Sequence, residues 1–315
     1  MKKIFSRLAL ALFLFFILLN VILYNHAWQL THYTAETGFH KQKPEDLTFL
    51  DKGRLAFTGV TVSRPEIKEF PKNSFETIKI PGRFELEAWL VKVPAPKGVI
   101  LLFHGYQNSK SSMLGYSDRF NAAGYHTFLV DFPGSGGSEG LETSIGYHEG
   151  GDVARALSVV DSLFPALPHT LLGSSMGAAS IMRAVHAHDV HPDKIILECP
   201  FGTMIGTVRK RFDALNAPSF PFAEMLMFYG GWQSGFDAYD HNPQDYAKSI
   251  TIPTLLMSGT KDVRVSVTET EKIFNNLAGP KQLKWMKNSG HQSYLTNDAI
   301  NWESTVLDFL TNKNE

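Results

Sequence analysis

Two kinds of apolar spacing follow one another along this chain from Ser74 onward. FETIKI (Phe75 to Ile80) and FELEAWLVKV (Phe84 to Val93) alternate apolar and polar positions on either side of Pro81-Gly82. That period-two pattern predicts a half-buried antiparallel hairpin. The alternation then stops. GVILLFHG (Gly98 to Gly105), HTFLVDFPGSG (His126 to Gly136), HTLLGSS (His169 to Ser175), KIILECP (Lys194 to Pro200) and TLLMSGTKD (Thr254 to Asp262) are continuous apolar runs. Segments apolar on both faces belong to parallel strands covered by helices. Helix-length stretches lie between them, among them MLGYSDRFNAAG, EGGDVARALSVVDSLF and MGAASIMRAVHAH. QLKWMKNSG reads as a last strand followed by a glycine turn. Strand and helix alternating in this way predict an α/β sandwich with a mostly parallel sheet.

Two regions depart from that rhythm. Residues 201–247 are too long for an ordinary connection and are crowded with Phe212, Phe220, Phe222, Met225, Met227, Phe228, Tyr229 and Trp232. They read as a helical excursion with a small core of its own, or as a lid whose apolar face touches substrate, and both readings can hold together. The other region is the N-terminus. Lys2, Lys3 and Arg7 precede Leu8 to Tyr24, an apolar run interrupted only by Asn20. With Ile4, Phe5, Ala27 and Trp28 the run reaches the length of a spanning helix, about 20 residues. Tyr24 and Trp28 would sit at the interface, where amphipathic rings are favoured. Asn25-His26-Ala27 makes a poor cleavage site, although a cleaved signal stays open as the alternative. The basic residues before the span keep the N-terminus cytoplasmic, so the rest of the chain is expected on the far side, periplasmic or extracellular. Residues 1–28 are thus read as anchor or signal, 29–73 as a tether (polar and irregular over 40–71), and 74–315 as the globular domain with its insertion.

Composition removes several function classes. The 315 residues carry a formal net charge of −1, with no basic stripe of the kind nucleic-acid binding needs. The single cysteine, Cys199, excludes a disulfide framework and a cysteine-based structural zinc site. The glycines of DFPGSGGSEG (Asp131 to Gly140) do not fit G-x-G-x-x-G and no G-K-S/T follows, so this loop reads as a tight turn beside the site and not a phosphate cradle. His186, His188 and His191 could suggest a metal. Histidines at i and i+2 point to different helix faces, so a solvated helix end is the better reading.

The chemistry concentrates in LLGSSMGAAS. An apolar strand runs into Gly173-Ser174-Ser175-Met176-Gly177 and then into a helix, the context of a G-x-S-x-G nucleophile elbow. Ser175 is the central residue. Gly173 and Gly177 let strand and helix approach without a Cβ clash. A serine hydroxyl needs a base to take its proton, and the base needs a carboxylate to orient it. In this fold class the order along the chain is Ser, then Asp or Glu, then His. Asp262 follows a buried strand, where catalytic groups collect, and His291 follows the last strand. The amide of Met176 and the amide of Tyr106, in the loop HGYQNSKSS, are the expected oxyanion donors. His104 reads as a structural residue at its strand end.

HGYQNS, DFPGSGGSEG, GSSMG, GTKD and SGHQS in this order resemble the α/β-hydrolase superfamily over most of the chain from about Ser74. Within it, the sequence looks like monoacylglycerol-lipase-like and serine-aminopeptidase-like hydrolases and membrane-anchored Bem46-type members. The resemblance implies an eight-stranded, mostly parallel sheet with a cap after the sixth strand. It also implies triad roles for Ser175, Asp262 and His291. Tyr106 departs from the small residue or asparagine that often follows HG.

The expected function is hydrolysis of an ester or thioester with an apolar acyl part, such as lysophospholipid, monoacylglycerol or an acylated protein, through an acyl-enzyme on Ser175. No metal or organic cofactor is needed. Glu224, Asp237, Asp240 and Asp245 leave an aminopeptidase open, since one would need carboxylates for a free amino group. A non-catalytic binding protein of the same fold is the remaining alternative.

Overall fold

The computed structural model describes residues 2–35 and 48–312. The chain divides into two compact units. Residues 1–63 and 204–240 form one, residues 64–203 and 241–315 the other.

The larger unit is built on an eight-stranded sheet. Its strands are β3 (Phe75–Ile80), β4 (Leu86–Val91), β5 (Val99–Phe103), β6 (His126–Val130), β7 (His169–Ser174), β8 (Lys194–Glu198), β9 (Thr254–Gly259) and β10 (Lys281–Met286). Their spatial order is β10-β9-β8-β7-β5-β6-β4-β3. All pairings from β5 to β10 are parallel, and β3 and β4 add an antiparallel edge. Leu101, Leu102, Leu171, Leu172, Ile195 and Ile196 are fully buried. Consecutive residues of a strand face opposite sides of the sheet, so both faces are covered, which is why these runs show no polar alternation. Each such side chain contributes about 1.5–3 kcal/mol by leaving water.

The covering helices are α3 (Leu114–Ala122), α4 (Glu149–Leu163), α5 (Met176–Ala187), α9 (Val267–Asn276) and α11 (Ala299–Thr311), with four-residue turns α8 (Pro243–Tyr246) and α10 (Tyr294–Asn297). Val153, Ala156, Val160, Ala178, Ile181 and Met182 pack with Leu101, Phe103 and Leu171 on one side of the sheet. Trp302, Val306 and Phe120 pack with Ile100, Leu102 and Leu172 on the other.

The smaller unit holds α1 (Lys2–Thr31), α2 (Phe49–Thr58), α6 (Met204–Ala214) and α7 (Phe222–Ser234), with a two-residue parallel pair, β1 (Tyr33–Thr34) and β2 (Val62–Ser63). α1 has a mean hydropathy of 2.4 over its most apolar 18 residues and is long and apolar enough to cross a membrane. The insertion's core is not its own alone. Leu226 of α7 is buried with Leu23 and Ala27 of α1, and Leu19, Phe212, Phe222 and Met225 close around them. The stretch read as an irregular tether contains α2, started by a capping box. Asp51 N–H donates to the Thr48 hydroxyl, and the Thr48 N–H donates back to the Asp51 carboxylate. Residues 36–47, the rest of the tether's first half, lie outside the described residues.

Candidate active site

The parallel strands bring three loops to one end of the sheet. β7 turns into α5 at Ser175, whose backbone is held at φ 53°, ψ −109°, a region that residues with a Cβ rarely occupy. The turn is fixed on both sides. Ser175 N–H donates to the Glu198 carbonyl of β8 (2.8 Å), and the Ser175 carbonyl accepts from Ala179 N–H (3.0 Å). The flanking glycines are sterically required. A Cβ on Gly173 would stand 2.4 Å from the carbonyl carbon of Gly177, and one on Gly177 would stand 2.3 Å from the Phe103 carbonyl oxygen.

Asp262 lies in the loop after β9. Its Oδ1 accepts from the backbone N–H groups of Arg264 (2.7 Å) and Val265 (2.9 Å), which aims Oδ2 at His291. His291 lies in the loop after β10. The two loops press together at Gly259, where a Cβ would meet the Ser289 carbonyl oxygen at 2.3 Å. Lys261 N–H donates to that carbonyl at 2.9 Å. His291 Nδ1 lies 2.8 Å from Asp262 Oδ2, and its Nε2 lies 2.9 Å from Ser175 Oγ. The geometry calls for Nδ1–H donating to the carboxylate, leaving Nε2 free to accept the serine proton.

Electrostatics follow from this packing. Burial pulls the His291 pKa down, but Cys199 and the Asp262 carboxylate outweigh it and hold the ring's pKa above its ordinary value. Burial pushes Asp262 up, and the His291 hydrogen bond and charge, with the two amides, bring it below the usual aspartate range. Cys199, Asp262 and His291 each place a donor atom within 4.8 Å of the others, the one group among the described residues that can offer three ligands to a metal. Asp262 Oδ2 already bonds His291 Nδ1, and the ring's Nε2 faces Ser175.

Met176 is the first residue of α5, so its N–H has no partner four residues back in the helix. The Gly105-Tyr106 loop lies against the elbow, since a Cβ on Gly105 would sit 3.6 Å from Ser175 Cβ. His104 is fully buried. Its Nε2 accepts from Phe132 N–H (3.1 Å) and its Nδ1 donates to the Gly105 carbonyl (2.9 Å), which joins the loops after β5 and β6. Of the other histidines, His186 stacks on Tyr246 and bonds Ser249, and exposed His191 bonds Asp189.

Two buried networks behind the site had no counterpart in the sequence reading. In the first, Lys110 is fully buried between Asp131 and Glu87, over the ring of Trp89. Asp131 also accepts from Gly137 N–H (2.8 Å), so the loop DFPGSGG wraps a carboxylate of its own chain. In the second, the fully buried Glu198 accepts from Tyr116 Oη (2.8 Å) and Trp302 Nε1 (2.6 Å). Tyr116 Oη also meets Ser293 Oγ at 2.9 Å, two residues beyond His291. Glu198, whose carbonyl holds Ser175, is therefore tied through Tyr116 to the histidine loop.

Burial pushes the Glu198 pKa up to about 7, with the Trp302 and Tyr116 hydrogen bonds only partly opposing it. A folded pKa above the unfolded one means the native state binds the extra proton. The resulting stabilisation is present below about 4.5 and is lost as pH rises towards 7. Glu198→Gln should flatten the dependence of the melting temperature on pH in that window. Thermal melts of both proteins across it check this, and parallel profiles would reject the assignment.

Known proteins resemble this chain in sequence and in fold. A family profile described as serine aminopeptidase, S33, matches residues 94–221, and one described as the prolyl oligopeptidase family matches residues 167–315. The Pyrococcus furiosus esterase Pf2001 superposes with a TM-score of 0.65 at 18% identity, covering 89% of this chain and 97% of that one. The chain belongs to the α/β-hydrolase superfamily. An alpha-beta serine hydrolase homologue from Coxiella burnetii shares this superfamily's fold with it, with a TM-score of 0.54 at 17% identity over 77% of this chain and 100% of that one. By sequence it is 26% identical over 238 residues to the uncharacterized protein YqkD of Bacillus subtilis, covering 74% of this chain and 77% of the relative. It is 23% identical over 248 residues to a monoacylglycerol lipase of Mycolicibacterium smegmatis, covering 66% and 88%.

Proposed function

We propose that this α/β-hydrolase is a serine esterase of the lipase-like kind, anchored in a membrane by α1 and cleaving esters or thioesters with an apolar acyl part. The observation that carries the reading is the unbroken line Ser175 Oγ, His291 Nε2, His291 Nδ1, Asp262 Oδ2, with links of 2.9 and 2.8 Å. In this mechanism Ser175 attacks the carbonyl carbon as His291 takes its proton. The Met176 and Tyr106 amides stabilise the oxyanion, a contribution of several kcal/mol in such chemistry, about 3–4 per donor. His291 returns the proton to the leaving alcohol or thiol. Water, activated by the same ring, then releases the acid. The anchor would hold the domain on the non-cytoplasmic side, close to lipid.

A peptidase is the second reading, supported by the two peptidase-named family profiles. It would need free carboxylates to hold a substrate's amino group. Glu224 is bonded to Arg209 (2.6 Å), Asp245 to Lys248 (2.7 Å), and Asp237 accepts from Tyr239 N–H (2.9 Å). Acids already committed to partners favour the esterase.

The test is turnover of p-nitrophenyl esters from acetyl to palmitoyl, beside a panel of aminoacyl p-nitroanilides, with the full-length protein in detergent. Ester turnover rising with chain length and no anilide cleavage is the expected result. Anilide cleavage without ester turnover would replace the reading with the peptidase. Folded protein inert towards both, and towards a fluorophosphonate, would leave a binding protein of this fold.

A further inference from the structure

The smaller unit shows what the apolar N-terminal helix is attached to. α1 presents Ile4, Phe5, Leu8, Leu12, Phe13 and Phe16 outward. From Leu19 onward one side of it turns to α7, and Leu23 and Ala27 are buried against Leu226. Asn20, the polar interruption in the run, is satisfied there. Its Nδ2 donates to the Phe16 carbonyl (2.7 Å), and its Oδ1 accepts from Tyr229 Oη. The Tyr24 carbonyl accepts from Gln233 Nε2 (2.9 Å), and the Tyr24 ring meets Tyr229 and Trp232 edge-on at 5.7 and 6.0 Å. An asparagine in hydrocarbon is costly unless its polar atoms find partners. Here the partner is a cap residue.

The outer side of α7 is apolar and uncovered. Phe228 and Trp232, one turn apart, are 61% and 66% exposed, and Phe220 just before the helix is 74% exposed. α7 carries one charged residue, Glu224, which pairs with Arg209 of α6. Trp232 touches Tyr24, so this ridge is laterally continuous with the exposed apolar side of α1, which includes Val21, Tyr24 and Trp28.

We infer that α7 itself enters the lipid bilayer, with Phe220, Phe228 and Trp232 seated at the boundary of headgroups and acyl chains beside α1. The inference rests on the reading of α1 as a retained membrane helix. If Tyr24 marks the interface, Asn20 lies about 6 Å deeper at 1.5 Å rise per residue. Tyr229 is hydrogen-bonded to Asn20 and must lie at the same depth. α7 cannot then be wholly in water, and aromatic residues on its free side suit an interfacial helix. The occupant of this apolar face is therefore lipid, and the insertion is a membrane-embedded part of the enzyme. Removing residues 1–28 would strip Leu226 and Tyr229 of their partners, so the full chain is the form to study.

Full-length protein carrying Phe228→Cys, Trp232→Cys or, as a control, Ile300→Cys would be spin-labelled and reconstituted in vesicles of equal parts phosphatidylcholine and phosphatidylglycerol. Ile300 lies in the larger unit and is 87% exposed, and the native Cys199 is buried. Accessibility to oxygen and to a nickel chelate then reports depth, and flotation of the same vesicles reports anchoring. The expected result is co-flotation, with oxygen-to-nickel ratios at 228 and 232 several-fold above that at 300. Co-flotation with all three ratios alike would overturn the inference and leave the anchor standing. Protein that fails to float would sink both. A Tyr229→Phe variant, which keeps the ring and loses the hydrogen bond to Asn20, should lower the ratios at 228 and 232 without releasing the protein. Unchanged ratios would show that this bond does not set the depth of α7.

Discussion

Ser175→Ala should lower kcat/KM for ester hydrolysis by about 10⁴–10⁶-fold, with the protein still folded and still floating with vesicles. In the proposed mechanism the hydroxyl oxygen is the atom that becomes covalently acylated, and no neighbour replaces it. Cys199 is buried beside His291 at the end of β8, and its backbone is fixed by its N–H bond to the Met257 carbonyl (2.9 Å). It is not held on the strained turn that lifts Ser175 to the front of α5. His291→Ala should cost about as much as Ser175→Ala, and the double substitution little more, because in the proposed mechanism the two act as one proton-transfer unit. Asp262→Asn should cost about 10⁴-fold, since the ring is then held in the wrong tautomer.

The pH profile gives the series its sign. The proposed mechanism requires neutral His291, so kcat/KM should rise with pH through the ring's pKa. Cys199 and Asp262 hold that pKa above the ordinary value against the effect of burial. Removing the Asp262 charge should therefore move the acid limb to lower pH while the plateau collapses. A limb that moves to higher pH, or Ser175→Ala retaining more than a percent or so of turnover, would place the chemistry elsewhere.

What the sequence could show and what it could not divide along a physical line. The meeting of Ser175, Asp262 and His291 was legible because each follows an apolar strand, and in a parallel sheet all such strands end on one side. Chain order and spacing then carry three-dimensional information. Glu198 was not legible. It closes the run KIILE, and its partners Tyr116 and Trp302 lie 82 and 104 residues away. A buried carboxylate and an exposed one look alike until both donors are placed. Lys110 was missed for the same reason, because a lysine in a polar loop gives no sign that Asp131 and Glu87 will enclose it. The attachment of α1 to α7 shows a third case. Hydropathy reads the average character of a segment, whereas Asn20 and Tyr229 are joined across 209 residues. α2 carried a readable start at Thr48 and Asp51 within a polar stretch whose low average hydrophobicity concealed it.

Gly177→Ala should be the most damaging single methyl added near the site. The new carbon would meet the Phe103 carbonyl oxygen at 2.3 Å and the His104 carbonyl oxygen at 2.9 Å. Neither can swing aside as a side chain would. Phe103 is the last residue of β5, paired to Val130 on one side and Gly173 on the other. Relief requires α5 to move away from the sheet, and α5 carries Ser175 at its start. Overpacking of a tight core costs about 1–3 kcal/mol, and backbone obstruction puts this site at the upper end. At about 2–4 °C per kcal/mol for a domain of roughly 200 residues, the melting temperature should fall by about 10 °C, if folded protein is recovered at all. The displacement of Ser175 Oγ from His291 should remove most activity even in the folded fraction, since misplacement by 1 Å can cost about 100-fold. Ser174→Ala, at the variable position of the same elbow, serves as the contrast and should stay near wild type in both measurements. The two glycines would then be required by the distance between two backbones, and Ser175 by its chemistry. Gly177→Ala melting and turning over like wild type would mean that β5 and α5 are farther apart than 2.3 Å implies, and the steric account of the elbow would have to be given up.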